Sequence, residues 1–448
     1  MKTELSSRRR FLKTAAKTSA LLVAGTAFVP YYRTADAEER SKPKSPNERA
    51  RIGAVGMRYQ GTVITDKAVE YGDVVAICDV DEQVGKKAVE HFGGSAGKKA
   101  DFYVDHRKML ERNDLDVIMI GTPDHWHTPI LLDSVRSGRD VYCEKPLTLT
   151  VDEGKVLIKA IEETKKVVQI GAWQRSDENF RLACEMVRAG RIGKLQTVDV
   201  VLGKNVVGGP FMPKDPPSYF HWDRWLGQAP FVPYIAERSH YTFRWWYAYS
   251  GGQMTDWGTH HLDIASWGIG LENEGPLEVE GTAKYPDTPN GYDVALDYSA
   301  KYTYPGDVVL TVADNGRNGI MFNGTEGRIF VNRGTVSGKP IEDRAQNSFD
   351  RGDYKLYDFD NFDRPARTGK LDAIINHMGN FFDCCRARKM PLANVYTEHR
   401  SSTLCHIGNI AQRLGRKLKW DPKAERFVDD PEANSFLKRE QRKGYEFE

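Results

Sequence analysis

Three short segments carry side chains suited to chemistry at a carbon that bears a hydroxyl. Glu144-Lys145-Pro146 follows the apolar run Val141–Cys143. A lysine at the carboxyl end of a buried strand lies where α/β proteins bind ligands, and its amine can hydrogen-bond a reacting oxygen and help move its proton. Asp256 and His260 are four residues apart, so on a helix they share one face. A histidine there takes or gives a hydroxyl proton, while the carboxylate orients the imidazole or binds a neighbouring hydroxyl. The third segment, Gly53-Ala-Val-Gly56-Met57-Arg58-Tyr59-Gln60-Gly61, follows a strand pattern and opens a helical one. In G-x-G-x-x-G terms Gly56 is the first glycine and Gly61 the third, and Arg58 replaces the second, which normally lets the backbone approach a pyrophosphate. The Arg58 guanidinium is itself able to pair with phosphate. A second strand ends at Asp79, 23 residues after Gly56, placed to hydrogen-bond the adenosine ribose. Asp81 and Glu82 nearby would repel a 2′-phosphate, so NAD is favoured over NADP.

Each of these readings has a plainer rival. Lys145 is equally readable as a solvated surface lysine. Asp256 and His260 also fit a helix crosslink, or zinc ligation, but no further His/Cys/Asp set accompanies them and no metal is expected. A glycine turn also occurs in α/β domains that bind no nucleotide.

The elements that must position these groups are legible in the hydrophobic pattern. Arg51–Val55, Val74–Cys78, Val117–Ile120, Val141–Cys143 and Val167–Ile170 read as buried strands separated by helical stretches, which predicts a parallel sheet covered by helices. Thr150-Val151-Asp152-Glu153 reads as a capping box ahead of a helix. From Trp173 the texture changes. Helical stretches Phe180–Arg188 and Met254–Gly268 flank a strand (Leu195–Leu202) and an aromatic, Pro-rich stretch (Pro210–Tyr249). Strand-like runs Leu277–Ala283, Ala295–Tyr302, Val308–Ala313 and Gly327–Val331 then alternate apolar with polar residues, as in an antiparallel sheet with one open face. Helices near Asp372–Arg388 and Thr397–Leu414 close the chain.

The 448 residues suffice for two domains with cores of their own. With 64 Lys/Arg against 62 Asp/Glu the formal charge is +2, which gives no reason to expect nucleic-acid binding. Six cysteines are too few for a disulfide scaffold, and no run reaches the length of an ordinary membrane span. The balance is uneven at the start. Ser7-Arg8-Arg9 through Lys13, a weakly apolar Thr18–Pro30 and Ala35-Asp36-Ala37 read as a twin-arginine export signal with a cleavage site, and no lipid anchor is implied. Residues 1–37 carry seven Lys/Arg and two acids, so the mature chain has a charge of about −3 (+2 − 5). Residues 38–50, with Pro43 and Pro46, read as a linker.

Gly121-Thr122-Pro123-Asp124-His125-Trp126-His127, then Glu144-Lys145-Pro146, then Gly251-Gly252-Gln-Met-Thr-Asp256-Trp257-Gly-Thr-His260, resemble in order and spacing the glucose–fructose oxidoreductase / inositol dehydrogenase (Gfo/Idh/MocA) family, in its exported branch. The likeness runs over residues 51–448. It implies an α/β Rossmann NAD-binding domain over 51–172. Residues 173–448 would form an α+β substrate and oligomerisation domain with a large, mostly antiparallel, open-faced sheet and C-terminal helices returning to the first domain. Lys145, His260 and Asp256 become the catalytic group. Gly56, Met57, Arg58, Tyr59, Gln60, Gly61, Asp79, Thr122, Pro123, His127, Glu144, Lys145 and Pro146 surround the cofactor, the peptide bond before Pro146 being often cis in the family. His127 is equally readable as a satisfied structural histidine. Gln174, Arg175, Trp257 and Asp263 are assigned to the substrate side. From Tyr219, Trp222, Trp225, Tyr241, Phe243, Trp245 and Trp246, one or two rings would stack on a sugar, the rest serving core or interface.

The activity implied is an NAD(P)-dependent oxidoreductase acting on CH–OH groups of a sugar, sugar derivative or polyol. Export to the periplasm would strand it without free NAD(H), so the cofactor must stay tightly bound and be recycled within the cycle. That admits a redox-neutral glycosidase or lyase working through a transient keto-sugar as the alternative, and a non-catalytic sugar-binding protein as a second. A homodimer or homotetramer, formed through the open sheet, is the expected assembly.

Overall fold

The computed structural model describes residues 49–93, 99–271, 274–356 and 369–447. The leader 1–37 and most of the linker lie outside these residues.

Six parallel strands form the first sheet: β1 (Ala50–Val55), β2 (Gly72–Cys78), β3 (Asp101–Tyr103), β4 (Val117–Ile120), β5 (Asp140–Cys143) and β6 (Val168–Ile170). Their order, β3-β2-β1-β4-β5-β6, reverses between β1 and β4, the crevice where α/β sheets hold ligands. All five apolar runs become strands within two residues of the expected bounds. β3 was not legible as a strand, because its three residues are exposed or half-buried and carry no apolar run. The crossovers that matter for the site are α1 (Tyr59–Ala68), α2 (Glu82–Phe92), α3 (His127–Arg136) and α4 (Val151–Thr164). Helix α4 starts where the capping box puts it, but the box itself does not form. The Thr150 side chain caps nothing. Glu153 instead accepts from the Leu149 N–H at 2.9 Å and the Thr128 hydroxyl at 2.7 Å, tying α4 to α3.

The second sheet has nine strands in the order β13-β12-β11-β7-β10-β9-β8-β14-β15. They are β7 (Leu195–Val201), β8 (Glu278–Lys284), β9 (Asp297–Thr303), β10 (Val309–Ala313), β11 (Gly319–Gly324), β12 (Arg328–Asn332), β13 (Thr335–Ser337), β14 (Leu418–Asp421) and β15 (Arg426–Phe427). Among the described residues only β7 and β10 of this sheet pair in parallel; the other pairs are antiparallel. Along β9, Tyr298, Ala300 and Tyr302 are buried while Asp297, Ser299 and Lys301 are exposed, so one face packs on helices and the other is open and polar. β11 has glycine at both ends and sits between stretches rich in turn residues, which hid it in the sequence.

The helices α5 (Glu178–Arg188), α6 (Gly258–Ile269), α7 (Lys370–Ala387) and α8 (Val395–Leu414) join the two sheets. Met378, Phe381 and Phe382 of α7 enter the core beneath Ile52 and Met119 of the first sheet, and Phe382 stacks on Tyr71 with ring centroids 4.8 Å apart. Burying each such ring stabilises the fold by roughly 1.5–3 kcal/mol, so the C-terminal part of the chain contributes to the first sheet's core. All six cysteines are free thiols, five of them buried.

Candidate active site

A cavity of 580 Å³ opens along the carboxyl ends of β1, β2, β4 and β5. The long connection 203–250 forms its opposite wall. Gly56 has φ +79°, and a Cβ there would lie 2.8 Å from the Thr122 backbone N. A Cβ on Gly61 would lie 1.7 Å from the Gly56 carbonyl O. Both glycines are therefore forced by close backbone packing. Arg58 is different. It occupies the N-cap of α1 with φ −71°, which any residue adopts, and its side chain is exposed in the cavity mouth. The missing second glycine costs the loop nothing in conformation.

Asp79 closes this cradle. One carboxylate oxygen accepts from the Met57 N–H (2.8 Å) and the other from the Asp81 N–H (2.9 Å). Burial pushes the carboxyl up to about 6 in spite of those hydrogen bonds. A tight glycine turn, a helix start and an acid at the end of β2, all on one cavity, fit a dinucleotide.

At the other end, the Lys145 amine donates to the Asp256 carboxylate at 2.7 Å and to its backbone carbonyl at 2.8 Å. The Lys145–Pro146 peptide bond is cis. Arg244 approaches the same carboxylate at 3.4 Å. Burial alone would raise the Asp256 carboxyl, but these two cations outweigh it and hold it well below the usual carboxylate range. His260 lines the same cavity, between Trp173 and Trp257 at centroid distances of 5.6 and 6.3 Å. Burial, then the charges of Lys145 and Arg333, push its imidazole well below the ordinary histidine range, so it is neutral at pH 7. Its Nδ1 is buried without a partner.

The spacing argument gave Asp256 as the orienting partner of His260 or as a ligand of a neighbouring hydroxyl. The two do share the cavity, but Asp256 is engaged across the domain junction by Lys145 and Arg244. Of the cofactor residues, Gly56, Arg58, Tyr59, Gln60, Asp79, Thr122, Pro123, Glu144 and Lys145 line the cavity. Met57, Gly61, His127 and Pro146 lie behind its wall. The Met57 side chain is in the core, and both ring nitrogens of His127 lie against carbonyl oxygens, that of Pro146 at 2.6 Å and that of Thr122 at 3.0 Å. His127 thus ties two cavity loops together. Trp257 faces the cavity as expected, while Gln174, Arg175 and Asp263 do not. Arg175 forms a buried ion pair with Asp263 (2.6 Å), flanked by Glu398 at 3.4 Å, so these buried polar groups satisfy one another between α6 and α8. Of the aromatic cluster, Trp225, Tyr241 and Phe243 reach the cavity, and Trp222, Trp245 and Trp246 are core. Arg244, Arg333 and Lys370 were missed in the sequence; each is a lone cation outside any recognised motif.

A family model described as an oxidoreductase family with an NAD-binding Rossmann fold matches residues 50–172. Its companion for the C-terminal alpha/beta domain matches residues 204–364 and 342–447. The chain belongs to the Gfo/Idh/MocA oxidoreductase family. Its cofactor is NAD. Among curated relatives, an alpha-N-acetylgalactosaminidase of Shewanella oneidensis is 30% identical over 201 residues, 42% of this chain and 44% of that protein. A glycosyl hydrolase family 109 protein of Shewanella baltica is 28% identical over the same shares. The match thus spans less than half the length of these curated relatives. Among solved structures, a levoglucosan dehydrogenase in complex with NADH and levoglucosan superposes with a TM-score of 0.62 at 16% identity, covering 83% of this chain and 99% of that one. An aldose-aldose oxidoreductase from Caulobacter crescentus complexed with glycerol gives 0.59 at 18% identity, with the same coverage. At these identities the structural likeness establishes the fold.

Proposed function

We propose that this protein is an NAD-dependent oxidoreductase acting on a CH–OH group of a sugar, sugar derivative or polyol. The observation that carries the reading is the convergence of Lys145, Asp256 and His260 on the cavity that also holds the glycine cradle and Asp79. The dinucleotide, when bound, supplies the acceptor for the carbon-bound hydrogen and its electron pair. The chain supplies the rest. Asp256 fixes the Lys145 amine at the cavity floor, where it hydrogen-bonds the substrate oxygen. His260, neutral because it is buried beside cations, accepts the hydroxyl proton. Arg58, Tyr59, Gln60 and Asp79 hold the dinucleotide, and the connection 203–250 screens it from water.

A second reading is a redox-neutral glycosidase or lyase that oxidises and re-reduces the same sugar. The partial identity to an alpha-N-acetylgalactosaminidase favours it. Tight retention of the cofactor suits both readings, as do export by the twin-arginine route to the periplasm and assembly into a dimer or tetramer through the open sheet. Absorbance and mass spectra of the denatured, purified protein test the common premise. Absence of nicotinamide nucleotide, with no uptake of added NAD, would defeat both. With NAD present, turnover of candidate sugars in deuterated water separates net oxidation from cleavage, and cell fractionation tests export.

A further inference from the structure

Arg333 occupies the turn between β12 and β13, far along the sequence from the recognised motifs, and its guanidinium enters the cavity. It is held between two indoles, 4.6 Å from the Trp173 centroid and 4.1 Å from that of Trp257. Its Nε donates to the Gln174 Oε1 at 3.1 Å. Gln174 is fixed in turn, since its amide donates to the His260 carbonyl at 3.0 Å and lies 3.3 Å from His261 Nδ1. Two rings stack on the guanidinium and one neutral acceptor takes its Nε, and among the described residues its two terminal nitrogens have no hydrogen-bond partner.

The surrounding charges are accounted for differently. Lys145 and Arg244 share Asp256. Arg224 pairs with Asp105 at the adenosine side. Lys370 donates to Gln60 beside the glycine loop, where a dinucleotide's own phosphates lie. Arg333 stands apart from that end, against Trp173 and Trp257, and among the described residues no carboxylate forms an ion pair with it. Burial pushes it down to about 10, although the charges of Asp256 and Asp177 act to raise it. Natural structures rarely leave a half-buried guanidinium without an ion pair, and its fork geometry matches a planar or tetrahedral oxyanion.

We propose that Arg333 binds an anionic group on the substrate, so that the sugar acted on is an acid sugar, a uronic acid or a sulfated sugar, held with its anion beside His260. This rests on the oxidoreductase reading for the site but is tested without turnover. The full-length protein, as purified and with added NAD, is titrated calorimetrically with matched pairs of glucose and glucuronate, galactose and galacturonate, and mannose and mannuronate, with the corresponding 6-sulfated hexoses as a further arm. At least one anionic sugar is expected to bind about tenfold or more tightly than its neutral parent. That preference should fall below about threefold in Arg333→Gln and persist in part in Arg333→Lys, which keeps the charge but loses the planar fork. A uronate preference assigns a carboxylate, and a preference for the sulfated hexose assigns a sulfate ester. Thermal unfolding within a few degrees of wild type shows that the variants fold. Equal binding of neutral and anionic members in every pair, equal weakening of both by Arg333→Gln, or no binding by any anionic sugar would overturn the proposal. Loss of the oxidoreductase reading is seen separately, as protein that carries and takes up no NAD.

Discussion

The Lys145 amine grips Asp256 twice, at the carboxylate and at the backbone carbonyl, across 111 residues of chain. This single contact joins the cofactor domain to the helix start that carries His260. Lys145→Met is expected to lower kcat by roughly 10²–10⁴-fold. Removing one member of a buried pair ordinarily costs about 3–5 kcal/mol, because a charge is left unpaired. Here Arg244 remains 3.4 Å from Asp256, so the variant should fold and still take up NAD. Single-turnover absorbance at the nicotinamide band checks the rate, and thermal melting checks the fold. Wild-type turnover would remove Lys145 from the site.

His260 sets the acid side of the pH profile. A histidine at its ordinary value would protonate near pH 6.5 and lose activity there. Burial and the charges of Lys145 and Arg333 depress this one, so it remains neutral as pH falls through that range. The folded value lies below the unfolded value, so its neutral form contributes stability that is lost only as pH falls below about 6.5. Turnover at saturating NAD and sugar should stay flat from pH 7.5 to 6, and His260→Ala should lose most of it. An acid limb centred at pH 6.5 that vanishes in His260→Ala would contradict this placement.

The sequence placed these groups well in the first domain and less well in the second, for physical reasons. A parallel strand is buried on both faces, so Val117–Ile120 and Val141–Cys143 read as unbroken apolar runs, and the residues after them had to lie at the ligand edge. The i,i+4 spacing correctly put Asp256 and His260 on one cavity. It carries no information about what stands opposite, and there the pairing with Lys145 replaced the pairing with His260. Arg175 follows the last parallel strand and Asp263 lies three residues beyond His260, positions that point toward the substrate, yet the two neutralise one another in the core. Arg333 had no signature at all, since a turn arginine reads as surface until Trp173 and Trp257 are seen beside it.

Cofactor affinity should depend on pH through Asp79. Its carboxyl is pushed up to about 6 by burial, so it is ionised above that pH and neutral below. A carboxylate binds ribose hydroxyls more strongly than a carboxylic acid does. The Kd for NAD should therefore rise as pH falls below 6. Folding has the opposite sign. The folded value exceeds the unfolded one of about 3.9, so the apoprotein loses stability as pH rises from about 4 to 6. Titrating NAD by intrinsic fluorescence at pH 7.5 and 5.5 measures the first effect, and Asp79→Asn should abolish the difference between the two.

The glycine loop separates the two glycines from the arginine between them. At Gly61 an added methyl meets the Gly56 carbonyl at 1.7 Å, and backbone cannot swing aside as a long side chain would. Gly61→Ala must therefore push α1 away from β1, at a cost of roughly 1–3 kcal/mol in overpacking, and with it the helix N-terminus that faces the pyrophosphate. At Arg58 the backbone is extended and the side chain exposed, so shortening it strains nothing. Arg58→Ala should melt within a degree or two of wild type while binding NAD several-fold more weakly, and the loss should shrink at high salt because a phosphate contact is screened. Gly61→Ala should melt several degrees lower and bind NAD poorly at any salt. If Arg58→Ala instead unfolds like Gly61→Ala, the arginine is part of the loop's architecture and its proposed role at the phosphates fails.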